Sequence, residues 1–153
     1  FLRARADVDS RGLPVVGRAG TAIPLLHAAV FENAFASIVL VDPLLSYRSM
    51  ALHRFYNVDF ANVVSGALTA YDLPDLQAAL APRRLLVINP QDHLLTRADG
   101  PTVTRELEFV RLAYKRAGAD ANFTVRAWEP HQTLDDVLQP WLDAISLKEG
   151  IQK

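Results

Sequence analysis

The sequence predicts an α/β fold: a three-layer arrangement of about four parallel strands flanked by helices. Three observations predict it. Four short apolar runs recur along the chain, at residues 13–17, 37–41, 84–89 and 122–128. Three of these are almost continuously apolar, the composition of strands covered on both faces of a parallel sheet. Segments of helical period lie between them, and strands alternating with helices form βαβ units whose right-handed crossovers give a parallel sheet.

Each element has its own local reason. The run at 13–17 leads through a sharp turn into residues 20–31, small and apolar almost all round, as in a buried helix. The run at 37–41 follows, and then residues 44–71, the least regular stretch, expected to hold two short helices and to form part of a lid or pocket wall. Asp72 is placed to cap the next helix. Pro74 is tolerated there because its missing N–H would be unpaired in a first turn, and Pro82 ends the element. After the run at 84–89, residues 102–117 carry Val103, Leu107, Val110 and Tyr114 on one face with charges opposite, and Gly118 stops the helix. Residues 122–128 alternate, which suits a strand at a sheet edge. A last helix starts near Thr133 with Leu134, Val137, Leu138, Trp141, Leu142 and Ile145 on its apolar face, and Pro140 is expected to kink or divide it.

Composition narrows the function classes. A chain of 153 residues, 50% apolar, fits one domain with a buried core. Sixteen Lys and Arg stand against 17 Asp and Glu, and no basic run exceeds two residues, so nothing favours nucleic acid or an anionic membrane. The absence of cysteine excludes disulfides and thiolate metal sites. No apolar stretch is long enough to span a bilayer. Residues 1–6 read as the end of a helix that begins earlier, although a trimmed chain fits equally; we treat residues 1–153 as a single, partial domain.

The chemistry is suggested by the turn after the first strand. Leu13-Pro14-Val15-Val16-Gly17-Arg18-Ala19-Gly20-Thr21-Ala22 runs strand, turn, helix, the setting of the G-x-S-x-G elbow that lifts a serine above an α/β-hydrolase sheet. On that pattern Gly17 is the first glycine, Ala19 stands at the nucleophile position and Thr21 replaces the last glycine. Small residues at 19–22 suit a tight turn backed by a close helix. The motif lacks its defining residue, and order downstream strengthens it. Asp92 follows the third apolar run and His131 the fourth, at the strand ends where open parallel sheets gather ligands. A triad needs that arrangement, because the acid orients the imidazole and the imidazole takes the serine proton.

At residues 63–76 (Val-Val-Ser-Gly-Ala-Leu-Thr-Ala-Tyr-Asp-Leu-Pro-Asp-Leu) and 79–86 (Ala-Leu-Ala-Pro-Arg-Arg-Leu-Leu) the chain resembles the acetyl-xylan-esterase-like and dienelactone-hydrolase-like bacterial proteins of the α/β-hydrolase superfamily. Val8-Asp9-Ser10-Arg11 also matches their run-in to the elbow. The resemblance covers nearly the whole chain but only the C-terminal half of that fold. It implies Asp92 as acid, His131 as base, and carboxylic esters of carbohydrate or small acyl groups as substrates, with no cofactor. It also points towards a bacterial, exported protein.

The departure from the family pattern is Ala19, since a methyl group cannot attack a carbonyl. An engineered replacement, natural degeneracy and a serine-free subgroup all remain open. Thr21 carries a hydroxyl, but inside the first helical turn. One oxyanion donor would be the Gly20 N–H, and the other belongs to a loop in the first half of the fold. Losing one such donor typically costs about 10²–10³ in rate, so this chain by itself is expected to be inactive.

Two other readings compete. Gly17-Arg18-Ala19-Gly20, followed by a strand and then Asp42, imitates a dinucleotide-binding fingerprint, but a methyl at Ala19 stands where close pyrophosphate approach demands none. A non-catalytic interaction domain on the same fold is the other. Asp42 is the alternative acid if Asp92 is only a turn residue. His27 reads as a core histidine and His53 as surface or pocket wall. His93 lacks metal-ligand spacing, and Trp128 and Trp141 read as core. With half the fold absent, the run at 13–17 becomes an open sheet edge, expected to pair with the missing half or a second copy.

Overall fold

The computed structural model describes residues 12–129 and 131–150, with side chains described through residue 144. The readings made above for residues 1–11 and for Ile145 lie outside the described residues. Four strands form one parallel sheet in chain order: β1 (Leu13–Arg18), β2 (Phe35–Val41), β3 (Arg84–Ile88) and β4 (Phe123–Arg126). The helices are α1 (Ala22–Phe31), α2 (Tyr47–Ala51), α3 (Leu73–Ala79), α4 (Gly100–Glu106), α5 (Glu108–Arg116) and α6 (Leu134–Gly150). The α/β class is therefore as the sequence predicts.

A monotonic strand order with right-handed crossovers puts every connecting helix on one face. The core divides accordingly. Ile38, Leu40, Leu85 and Val87 face α1, α3 and α5, whereas Val39, Val41, Leu86 and Ile88 face Val137 and Trp141 of α6. All eight strand residues are fully buried, each such side chain contributing about 1.5–3 kcal/mol of transfer free energy. These are the three layers, helices on sheet on helix.

Several local expectations change. The β1 run is not covered on both faces. Its register sets Val16 beside Val39 and Arg18 beside Val41, on the α6 side; among the described residues β1 is an edge strand, and Val16 remains 52% exposed. Helix α1 is likewise half-covered: Ala22, Ile23, Leu26 and Ala29 are buried, but Phe31 is 87% exposed. The helix expected at 102–117 is two, α4 and α5, joined at Leu107, and it begins earlier because Asp99 accepts the Thr102 N–H and caps the turn. Its inward face is as expected, with Leu107, Val110 and Tyr114 fully buried. Gly118 ends α5 at φ 65°, the left-handed backbone that favours glycine. Helix α6 continues through Pro140. Thr133 and Asp136 close a reciprocal cap at its start, Thr133 N–H donating to Asp136 at 2.7 Å. No helix among the described residues is long and apolar enough to cross a membrane.

Candidate active site at the C-terminal rim of the sheet

The rim is built by three strand ends that behave alike. Ala19, Asp42 and Asn89 are the first residues after β1, β2 and β3, and each has a positive φ, 48°, 51° and 48°. For residues other than glycine this backbone is strained by about 1–3 kcal/mol and gathers at functional sites. At each of these strand ends the chain leaves the sheet abruptly.

The turn at Ala19 has the geometry of an elbow. A Cβ on Gly17 would stand 2.9 Å from Leu25 Cδ2 and 3.0 Å from both Ala22 Cα and the Thr21 carbonyl. Only glycine lets α1 pack so closely behind the strand. Residues 19–21 form one 3₁₀ turn before α1. The Thr21 hydroxyl accepts from the Arg18 N–H and donates to the Arg18 carbonyl, both at 2.9 Å. That clasp holds the turn shut, and it leaves Thr21 with neither a free proton nor the orientation of a nucleophile. Ala19 and Gly20 are exposed above it.

The strand ends are then tied together. Arg18 Nε meets Asp42 Oδ2 at 3.3 Å, and the Arg18 guanidinium lies 5.3 Å from the centre of the Trp128 ring. Asn89 Oδ1 accepts the Trp128 N–H at 2.8 Å. Trp128 packs against the α6 side of the core, as its reading as a core residue expects, and also bears a cation on its face. Arg18 and Asn89 were not singled out from the sequence. An Asn directly after a strand and before Pro90 was the available signal for one, and nothing local announced the other.

Asp92 follows β3 in a tight turn. Its carboxylate accepts the Leu94 N–H at 2.9 Å, the Thr96 N–H at 3.1 Å and the Thr96 hydroxyl at 2.9 Å. Desolvation is the largest influence on its pKa and acts upward, but the Thr96 and Leu94 hydrogen bonds and the nearby His93 outweigh it and hold the carboxyl below its ordinary value. Asp92 is therefore ionised at neutral pH, with three hydrogen bonds from its own turn already on the carboxylate. His131 lies exposed in the turn before α6. Its charge adds to the lowering of the Asp136 pKa, after the Thr133 hydrogen bonds that dominate there. Among the described residues no hydrogen bond joins Asp92 to His131.

The other histidines are accounted for locally. His27 Nδ1 donates to the Ile23 carbonyl at 2.9 Å, which leaves Nε2 to accept the Tyr71 hydroxyl at 2.9 Å, a half-buried structural role. His53 Nδ1 donates to the Ser49 carbonyl, and its ring stacks on that of His93 at 3.6 Å between centroids. Among the described residues no group of three or more His, Asp or Glu could hold a metal ion. Asp42 is held by Arg18, and the described sheet has no reversal of strand order beside β1. A dinucleotide site needs such a switch point, so the nucleotide reading gains no support.

No protein-family model matches this sequence. No curated protein matches it either. Among solved structures, the chain is similar to a protein of Bacteroides fragilis whose own assignment as an acetyl xylan esterase is provisional. The TM-score is 0.67 at 18% identity, over 88% of this chain and 34% of that one. The likeness is one of fold: this chain has an α/β architecture like that neighbour's and spans about a third of its length.

Proposed function

We propose that this chain is the C-terminal half of an α/β-hydrolase-type carboxylic-ester hydrolase, acetyl-xylan-esterase-like, with alanine in place of its nucleophile. The observation that carries the reading is the left-handed backbone at Ala19, between a strand and a helix that only Gly17 allows to pack so closely. An elbow pays that strain to raise a side chain, and here the side chain is a methyl. In this reading Asp92 and His131 are the positions of acid and base, Gly20 offers an oxyanion N–H, and Asp42 is set aside as acid by its pairing with Arg18. The substrate class is a small acyl ester or an acetylated carbohydrate, the protein is bacterial and exported, and no cofactor takes part. The covalent route is closed as the chain stands.

A partner is part of the proposal. The open edge of β1, with exposed Val16, and the exposed Phe31 of an otherwise apolar α1 suit coverage by the rest of the hydrolase fold. A second copy is the alternative occupant. A non-catalytic interaction domain is the second functional reading, and the engagement of Asp92 by its own turn favours it.

Replacing Ala19→Ser in a full-length chain and assaying an aryl acetate tests the choice. A rise in turnover of at least about 100-fold over the alanine form supports the hydrolase reading, since triad nucleophiles contribute more than that. A folded Ala19→Ser protein with no gain supports the interaction domain instead.

A further inference from the structure

The stretch between β2 and α3 forms a solvent-open apolar cavity of about 340 Å³, walled by Tyr47, Met50, Tyr56, Phe60, Val63 and Leu68 among others. That volume is at the low end of the ~300–1,000 Å³ of ligand pockets, and about twice the ~150 Å³ cavity that takes up benzene. No charged side chain lines it. Two of its hydroxyls are already committed: Tyr47 donates to the Asn62 carbonyl at 2.8 Å and Thr69 to the Gly66 carbonyl at 2.7 Å. Ser65 and Tyr56 carry the remaining hydroxyls on the wall. Phe60, Val64 and Leu68, all on this wall, are 74%, 43% and 48% exposed, a grouping of apolar side chains at the cavity mouth that an apolar ligand would cover.

The cavity wall also touches the elbow. Asn62, between Phe60 and Val63, holds its Nδ2 3.2 Å from where a Cβ on Gly20 would stand. The wall and the turn at Ala19 are thus neighbours, although residues 60–63 and 19–20 are far apart in the chain.

We propose that this cavity binds the apolar arm, aryl or medium-length acyl, of an ester whose carbonyl lies at the Ala19–Gly20 turn. The inference rests on the hydrolase reading for the position of the carbonyl, and it replaces the sugar expected from the family resemblance with an apolar group. An acetylated sugar would bring many hydroxyl and ester oxygens against a wall that is mostly carbon and offers only the Ser65 and Tyr56 hydroxyls. Each oxygen left unpaired on desolvation is costly, whereas a phenyl or alkyl arm meets only carbon.

Met50 is the one methionine in the chain and lines the cavity, so a ¹³C-labelled methionine methyl reports occupancy without any turnover. Titration with phenyl butyrate is expected to move the Met50 methyl resonance saturably. Ethyl acetate and tetra-acetyl xylose are expected to bind at least about tenfold more weakly, and Ala51→Phe and Val64→Trp each to weaken phenyl butyrate by a similar factor. No saturable shift, an equal response to tetra-acetyl xylose, or unchanged binding in both filled and folded variants overturns the proposal. The hydrolase reading fails separately. If phenyl butyrate titrates Met50 but Ala19→Ser never hydrolyses an aryl acetate, the cavity stands as a binding site and the esterase does not; gain of hydrolysis without a Met50 response is the reverse result.

Discussion

Ala19 sits at φ 48° with a Cβ that this conformation does not favour, next to a threonine whose hydroxyl clasps the turn from inside. The strain belongs to the backbone, so Ala19→Gly is expected to stabilise the fold by about 0.5–1 kcal/mol, the left-handed penalty less the extra chain entropy of glycine. Urea denaturation measures it; a loss of stability would mean that the turn is unstrained. Asp92 gives the second prediction at this scale. Its folded pKa is depressed, so its contribution to stability is present above the unfolded value of about 3.9 and fades as pH falls through the lower folded value. Asp92→Asn should lower stability at pH 7 and flatten that acid limb, read from melts between pH 7 and pH 2. The residue scale is also where the sequence was least legible. Asp92 could be placed after its strand, but its capture by Thr96 depends on a four-residue turn closing back on itself. The Arg18 contact with Trp128 joins residues more than a hundred positions apart, and no local pattern encodes that.

At the scale of elements, legibility follows periodicity. The strands were readable because apolar runs bounded by turn residues have little else to become, and each began and ended within two residues of its expected bounds. The cut between α4 and α5 was hidden because Leu107 satisfies the helical spacing on both sides of it and is buried whether or not the helix is continuous. Tyr114 on α5 shows what packing can override. Its hydroxyl is fully buried with no hydrogen-bond partner among the described residues, and burial, only partly offset by Arg83, pushes its pKa up. An unsatisfied buried hydroxyl costs about 1–3 kcal/mol, while the ring fills the space between α3, α5 and Phe123. Tyr114→Phe keeps the ring and removes the orphan group, so it should leave stability unchanged or raise it by up to about 1 kcal/mol. A clear drop in thermal midpoint would reveal a partner for that oxygen.

For the whole molecule, the decisive fact is that β1 is an edge among the described residues. Strand composition does not encode strand order, so a run read as doubly covered turned out to have one face open beside α6. Unpaired edges attract other chains. The protein is therefore expected to associate with increasing concentration in analytical ultracentrifugation, and Val16→Lys, which sets a charge on the exposed face of that edge, to shift it towards monomer. A concentration-independent monomer in both forms would show that the edge is quiet without a partner.

The left-handed residues closing β1, β2 and β3 give the upper surface of the sheet a level ledge, from which each of these connections departs at the same height. Loops standing on such a ledge are interchangeable parts: one can be lengthened, shortened or stripped of its reactive atom while the layers beneath keep their registry. On the hydrolase reading proposed above, chemistry in this architecture would be separable from folding, and a methyl at the first of these junctions would leave a platform on which a reactive side chain could be installed.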